Sequence, residues 1–492
     1  MNKRLSQLCI AVACCLFLTS VFAQTDELGP DFDALVSQVT ENEEESGIWS
    51  DLSISGYLKN ETAYRIREPR SITKIRNIVY LNAQYPFGSR VNFNFTGWAY
   101  YDLAYDLFNY ETIAARLERN SEEPLAFVEN LSQEKDSPVA DVRELYFDIG
   151  FNKLDLRIGK QYVVWGVLEG VRIVDEINPQ DFRELILPDL IDYRIPLWTV
   201  KLDYYADIGD VELLWIPDLR FHRPAPPGSE WELLQEVPGT RKPESWKLEN
   251  SEFGIKLDTN LLNTEFSFSY FYTWDDFPVI FRTVKIGASA DEGPVFYPSY
   301  TRISMYGITA VKPIGDYILK GEFAYVEDKF FGRSNIADAN NDSYVDTNGE
   351  AQKNHIRWGV GVDFVTLGWD VALGMMQWII LDYEENLIQN RIDTSYNVFI
   401  RREFPQYSMT AQALWIYLQQ LNETYLKPKL TFQVTDKFQI AVGMDLFDGP
   451  QSDFGLSSVT AQGQFNAAIQ RAQFLGNFHD NDRVFLEFKY SF

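Results

Sequence analysis

The chain ends Arg483-Val484-Phe485-Leu486-Glu487-Phe488-Lys489-Tyr490-Ser491-Phe492. Successive side chains of an extended strand point to opposite faces. Val484, Leu486, Phe488, Tyr490 and Phe492 therefore share one face, and Arg483, Glu487, Lys489 and Ser491 share the other. The same period of two recurs in Val91–Thr96, Glu265–Tyr270 and Arg357–Val362. In a soluble sandwich the apolar face would be the core; in an outer-membrane barrel it meets lipid and the polar face lines the lumen. Connection lengths separate the two. Short polar turns stand at Pro86–Ser89, Asn152-Lys153, Ile208–Asp210, Asn260–Asn263, Pro313–Asp316, Thr366–Gly368, Pro405–Tyr407 and Thr435–Lys437. The alternate connections are mostly long: 104–140, 165–195, 218–250, 275–300, 327–353, 382–394 and 448–482. Short turns on one side and long loops on the other belong to an all-β fold, a transmembrane antiparallel β-barrel with short periplasmic turns and long extracellular loops. The pattern predicts about 18 strands, with 16 the nearest alternative, and an even number puts both ends on the periplasmic side.

Composition agrees. Of 492 residues, 46% are hydrophobic, and mean hydropathy is −0.23. After the leader no stretch of 18 or more mainly apolar residues occurs, which excludes a spanning helix. Aromatics reach 15% and cluster near strand ends (Trp98, Tyr100, Tyr101; Tyr270, Tyr272, Trp274; Trp358; Trp378; Trp415, Tyr417), as interface girdles require. A net charge of −27 excludes a nucleic-acid partner, because a phosphate backbone needs a basic face.

The cysteines point to the compartment. All three, Cys9, Cys14 and Cys15, lie in residues 1–23. That segment reads as a signal peptide, with a basic start at Lys3 and Arg4, an apolar stretch from Ile10 to Leu18, and a cleavage site at Val21-Phe22-Ala23. The rest then has no disulfide, no cysteine-ligated metal and no covalently attached haem. Residues 24–50 form an acidic periplasmic N-terminal segment carrying Glu41, Glu43, Glu44 and Glu45. A disordered tail is the plainer reading; a short amphipathic helix through Phe32, Leu35, Val36 and Val39, docking to a periplasmic partner, is the sharper one. Residues 51–492 form the barrel. The expected location is the outer membrane of a Gram-negative bacterium. The expected partners are outer-membrane lipid and lipopolysaccharide, the assembly machinery that reads a terminal aromatic strand, and an unidentified solute.

On the lumenal face the channel-lining cations are Lys74, Arg76, Arg157, Lys201, Arg357, Lys427 and Lys429. Acidic residues nearly balance the wall charges, so the acid surplus of the chain sits in the loops and tail. Inside a closed barrel such charges are hydrated or paired. They either brace neighbouring strands or set a field that selects solutes.

Loop 165–195 carries dense charge: Arg172, Asp175, Glu176, Asp181, Arg183, Glu184, Asp189, Asp192 and Arg194. Interleaved with it are Val171, Ile173, Val174, Phe182, Leu185, Ile186, Leu187, Leu190 and Ile191. A loop in water does not need so many apolar residues, whereas a loop folded into the lumen as a constriction does. The site residues expected of it are Arg172, Asp175, Glu176, Asp181, Arg183, Glu184 and Arg194. Arg172, Arg183 and Arg194 should face carboxylates of the same loop or basic wall residues such as Arg157. Asn178 followed by Pro179 predicts a capped short helix. This stretch also carries a resemblance. Arg157-Ile158-Gly159-Lys160-Gln161, Trp165-Gly166, Ile177-Asn178-Pro179 and Asp181 are similar to the outer-membrane family named domain of unknown function 1302, concentrated in residues 150–205. The resemblance implies a porin-like barrel, viewed as a conduit for hydrophobic or poorly defined compounds.

Three further features carry less. Asp338, Asn340, Asp342 and Asp346 have oxygen ligands at calcium-loop spacing. Ser343 replaces the usual glycine, however, and Gly349 stands where glutamate should close the site, so a polar extracellular loop is favoured and calcium is the one cofactor considered. Pro224–Gly228 reads as a stiff surface loop. His222, His355 and His479 are far apart, and no nucleophile elbow occurs, so an enzyme is not expected. The expected function is a porin-like channel passing a solute, with loop 165–195 as its constriction. Its rivals are a barrel sheath for an electron-transfer complex and a surface adhesin.

Overall fold

A computed structural model describes residues 51–108, 113, 139–170, 172–189, 191–225, 229–231, 239–283, 295–333, 350–450 and 474–492. The signal peptide, the acidic segment 24–50 and the calcium candidates Asp338, Asn340, Asp342 and Asp346 lie outside the described residues.

Eighteen strands form one closed antiparallel sheet among the described residues. In chain order they begin β1 (Ser53–Arg65), β2 (Ser71–Phe87), β3 (Val91–Asp102), β4 (Val139–Phe151), β5 (Leu154–Gln161), β6 (Leu197–Ala206), β7 (Gly209–Ile216), β8 (Glu252–Leu261) and β9 (Thr264–Trp274). A two-stranded ribbon, β10 (Arg282–Thr283) with β11 (Val295–Phe296), stands apart from the barrel. The barrel resumes with β12 (Arg302–Ile314), β13 (Tyr317–Gly332), β14 (Glu350–Thr366), β15 (Trp369–Ile380) and β16 (Ile392–Phe404). It ends with β17 (Met409–Leu418), β18 (Glu423–Gln433), β19 (Phe438–Asp448) and β20 (Arg483–Ser491). Each strand pairs with its sequence neighbours, β9 pairs with β12, and β20 returns to β1 in the register Tyr57↔Ser491 to Arg65↔Arg483.

Closure is what hydrocarbon demands, since an unpaired backbone group has no water to turn to there. The seam is tied at its periplasmic end by Gly56 and Phe492, whose backbones exchange two hydrogen bonds of 3.1 Å. Gly56 is required there: a Cβ would sit 2.8 Å from the ring of Phe492 and closer still to the carbonyl of Tyr80. Outward positions are apolar and bare: Leu58, Val79, Phe147, Ile255, Phe323 and Leu486 are all exposed, as a lipid-facing band must be. The barrel exterior thus places the chain in an outer membrane. Two-residue turns close several periplasmic hairpins. Leu262-Asn263 and Leu367-Gly368 both take positive φ, the form whose twist matches paired strands.

The girdle assignment needs correction at three aromatics. Tyr101, Tyr272, Trp415 and Tyr417 lie on the outer face, but Trp98, Tyr100 and Trp378 point into the lumen. There they stack under guanidinium groups: Arg143 lies 4.6 Å from the Trp98 ring, Arg76 4.3 Å from Tyr100 and Arg357 4.2 Å from Trp378. A ring's place is set by the parity of its position, and a buried cation over its face holds it there.

The seam predicts the effect of a C-terminal truncation. Deleting Phe492 removes the ring over Gly56 and both backbone bonds that close the barrel. The amount of heat-modifiable protein in outer-membrane fractions should fall; unchanged levels would show that closure does not depend on this residue.

Candidate functional site

The connection from β5 to β6 does not rise away from the barrel. It crosses the lumen and meets strands all around the wall. Asn178, fully buried, ties its two ends together: the side-chain carbonyl accepts from Val163 N–H at 2.8 Å, and the amide donates to Ile195 O at 2.9 Å. The helix expected after Asn178 is therefore not there. The asparagine spends its side chain on this staple, and among the described residues the only helical turn in the segment is a short one at Phe182–Glu184 capped by Asp181.

The first half of the connection is packed in an apolar core. Val163, Trp165, Leu168, Ile173, Val174 and Ile177 bury against Leu197, Leu214, Ile216, Phe271, Met305 and Val326 on the inner faces of β6, β7, β9, β12 and β13. Glycines on β14 make room: a Cβ on Gly359 would lie 2.5 Å from Ile173, and one on Gly361 2.7 Å from Leu168. The polar backbone is met by one wall carboxylate. Glu322 on β13 accepts from the amides of Val167 at 2.5 Å, Leu168 at 2.7 Å and Val174 at 3.1 Å. Trp165 Nε1 donates to Glu212 on β7 at 2.6 Å, and Asn397 on β16 donates to Glu169 O at 2.9 Å.

The second half, residues 179–195, forms an arm. Its strands meet through Asp181 N–H to Tyr193 O and Ile195 N–H to Pro179 O. Glu184 reaches β2, where Lys74 lies at 2.8 Å and Arg76 at 2.5 Å. Arg143 on β4, itself buried, donates to the carbonyls of Ile191, Asp192 and Arg194. Lys427 on β18 donates to Leu187 O at 2.5 Å.

The loop cations expected to find carboxylates do so. Arg172 and Arg194 both pair with Asp175, Arg183 pairs with Asp181, and Glu176 pairs with Arg357 on β14 at 2.8 Å. Arg157, Lys201 and Lys429 do not meet the loop. Arg157 pairs with Asp148 at 2.6 Å and Lys201 with Asp203 and Glu212, bracing adjacent strands, and Lys429 on β18 reaches across β19 to Glu487 on β20. Sequence reasoning missed Glu322 and Arg143 as anchors; each is one charge among many on an alternating strand, and only the fold shows what it faces. The Pro224–Gly228 reading also changes. Ala225 is buried beside Leu185, Leu187 and Trp231, and Glu230 lies 3.5 Å from Arg65, so the chain on either side of residues 226–228, which lie outside the described residues, turns inward.

A cavity of about 80 Å³ remains between the arm and β1–β3 and β18–β20. On the wall side Lys59, Lys74, Arg76, Lys427 and Arg483 line it together with Glu61, Asp445 and Glu487, and on the arm side Asp181, Glu184, Asp189 and Asp192 do so together with Arg183. Burial works against the Glu184 carboxylate, but Arg76 and Lys74 outweigh it and hold its pKa down to about 2. Burial also disfavours the charge on Glu176, and Arg357 and Arg172 overcome it. Asp192 goes the other way, pushed up by burial and by Asp189 against the pull of Lys59 and Arg143. Burial, Arg172, Lys329 and Arg357 push His222 far down. It is thus neutral and accepts the Gln180 amide on Nδ1 at 2.8 Å.

Two outcomes follow from these anchors. Glu322→Ala leaves three buried amides without their acceptor, at roughly 1–3 kcal/mol for each unmet donor. Hydrogen exchange at Val167, Leu168 and Val174 should accelerate while the barrel stays folded; retained protection would show that the apolar core alone holds the segment. Glu184 supplies a pH test. Its carboxylate is depressed in the folded chain, so its attachment is fully present above the ordinary value of 4.5 and is lost as pH falls through about 2. Protection factors of the Leu185 and Leu187 amides should stay flat through 4.5; a loss centred there would contradict the ion-pair anchor.

No curated protein matches the chain. Among solved structures it is similar to OccAB2 of Acinetobacter baumannii, with TM-score 0.49 and 10% identity over 91% of this chain and 99% of that one. It is similar to OccK8 (OprE) of Pseudomonas aeruginosa, with TM-score 0.45 and 10% identity over 91% and 99%. It is also similar to OpdK of Pseudomonas aeruginosa, solved with vanillate, with TM-score 0.45 and 10% identity over 91% and 100%. A family model described as "Protein of unknown function (DUF1302)" matches residues 73–492, and the chain belongs to that family.

Proposed function

We propose that this protein is a porin-like channel that passes a solute across the outer membrane, with loop 165–195 as its constriction. The observation that carries the reading is the arm 179–195. It is anchored to β2, β4 and β18 from inside the barrel, yet leaves a charged cavity beside it rather than a filled core. A loop that only capped the barrel would have no use for Glu322, Asn397 and Lys427 as partners deep on the wall. A loop that only plugged it would bury its charges in pairs throughout. The constriction narrows the lumen to a space where water screens charge poorly, so the few charges lining it decide which solutes enter. In this reading residues 1–23 are the signal peptide that sends the chain across the inner membrane, and residues 24–50 hang in the periplasm.

Deleting residues 172–192 removes the arm and most of its anchors while leaving every strand pair of the barrel in place. In planar bilayers the purified variant should insert, single-channel conductance should rise several-fold, and ion selectivity should fall. An inserted variant with unchanged conductance and ion preference would sink the constriction, and a wild-type protein that carries no current would sink the channel.

A further inference from the structure

The charges around the cavity are not all satisfied. On the wall, Lys59 pairs with Glu61 at 2.6 Å, Lys74 with Glu61 and Glu184, Arg76 with Glu184, and Arg483 with Asp445 at 2.7 Å. Two wall amines have no carboxylate within salt-bridge distance among the described residues. Lys427 donates to the Leu187 carbonyl and lies 5.8 Å from the centroid of the Phe485 ring, and Lys489, next to the cavity, lies over the Tyr57 ring, 4.4 Å from its centroid. On the arm, Asp181 and Glu184 are paired. Asp189 and Asp192 form no salt bridge among the described residues, although Asp192 feels both Lys59 and Arg143. Arg143 binds the Asp192 backbone carbonyl, not its carboxylate.

At the gap the arm thus presents two carboxylates and the wall two amines, Lys427 in the lining and Lys489 just outside it; they feel one another's charge across the gap, and none of the four closes a salt bridge among the described residues. The loop and wall do not close on each other, because Glu184 fixes the arm to β2 and Arg143 fixes its return strand to β4. We infer that this gap is a binding waypoint for small zwitterions, solutes carrying an ammonium and a carboxylate on one short frame, of the amino-acid class. The ammonium faces Asp189 and Asp192, and the carboxylate faces Lys427 and Lys489. A simple cation or anion satisfies one side and leaves the other bare. A neutral polar solute satisfies neither with a full charge. Tyr57, Trp98 and Phe485 also line the cavity and give it an apolar face, which suits a short side chain. This inference rests on the channel reading and goes beyond it by naming the solute class and the four residues that choose it.

Alanine and lactamide test it, because they are isomers: one is a zwitterion at neutral pH and the other is uncharged. Proteoliposomes containing the full-length protein are swollen in each solute, and the ratio of the two rates is read within each preparation. Wild type should pass alanine several-fold faster than lactamide. The ratio should fall to parity in Asp189→Asn/Asp192→Asn, which alters the arm, and independently in Lys427→Gln/Lys489→Gln, which alters the wall. Heat-modifiable mobility verifies that each variant is folded. Equal rates in wild type, or a preference that survives in both folded variants, overturns the zwitterion site while leaving the channel intact. A wild-type protein that passes neither solute overturns the channel itself and this site with it.

Discussion

Everything in this molecule follows from one constraint: in hydrocarbon a backbone amide or carbonyl has no partner except another strand. The β1–β20 seam answers that constraint, and once the sheet is closed the alternation of side chains is no longer free. Every second residue must be apolar and outward, and every other residue must enter a space from which bulk water is largely excluded by the protein that fills it. The chain places Arg, Lys, Asp and Glu on that inner face. Such groups are costly when buried alone, and a buried pair gains little over a hydrophobic one because both partners lose their hydration. The wall solves the lower part of the problem locally, by pairing residues on adjacent strands such as Arg157 with Asp148 or across one strand as Lys429 with Glu487. At the level of Lys74, Arg76, Arg357 and Lys427 it uses the loop as well.

The loop is held by three kinds of contact, each suited to its place. At the base, where two chain segments enter the lumen side by side, one asparagine satisfies a donor on one and an acceptor on the other. In the first half, where the wall is apolar and includes glycine, packing dominates and Glu322 takes the backbone donors that packing would otherwise strand. In the arm, Leu185 and Leu187 pack against Tyr425 and Phe447, wall cations take backbone carbonyls, and Glu184 adds an ionic anchor. The ionic anchors add little net stability, and their effect is to fix position: Glu184, gripped by two cations, has one place to be.

The barrel was legible in the sequence because lipid enforces the period of two on every strand, and the short turns fall between pairs of such strands. All 18 barrel strands lie where alternation puts them. The inward loop was legible for a related reason, since Ile173, Val174 and Leu185 have no business in water. What could not be read was direction and partnership. Trp98, Tyr100 and Trp378 looked like girdle residues by kind and by nearness to strand ends, but their faces are decided by a register that one misplaced residue inverts. Asn178 looked like a cap because its neighbour is proline, and a staple between residues 163 and 195 has no local signature. Glu322 is separated by about 150 residues from the amides it binds, and nothing in a single chain of letters connects them.

The division of labour along the loop also says how such a channel can change its solute without losing its fold. Residues 163–178 share an apolar core with five strands, and an alteration there leaves cavities or stranded amides that the barrel must absorb. Between 185 and 193 the arm meets the wall through buried Leu185 and Leu187 and through backbone carbonyls, so the side chains of Asp189 and Asp192 line the gap without a salt bridge among the described residues to hold them. The same holds for Lys489, whose neighbours on β1 and β19 are tied by backbone bonds and not by its amine. Positions that carry charge but no packing can be exchanged at small cost to stability. In the constriction proposed above, each exchange would change the field a solute meets by more than the same charge on an exposed loop would.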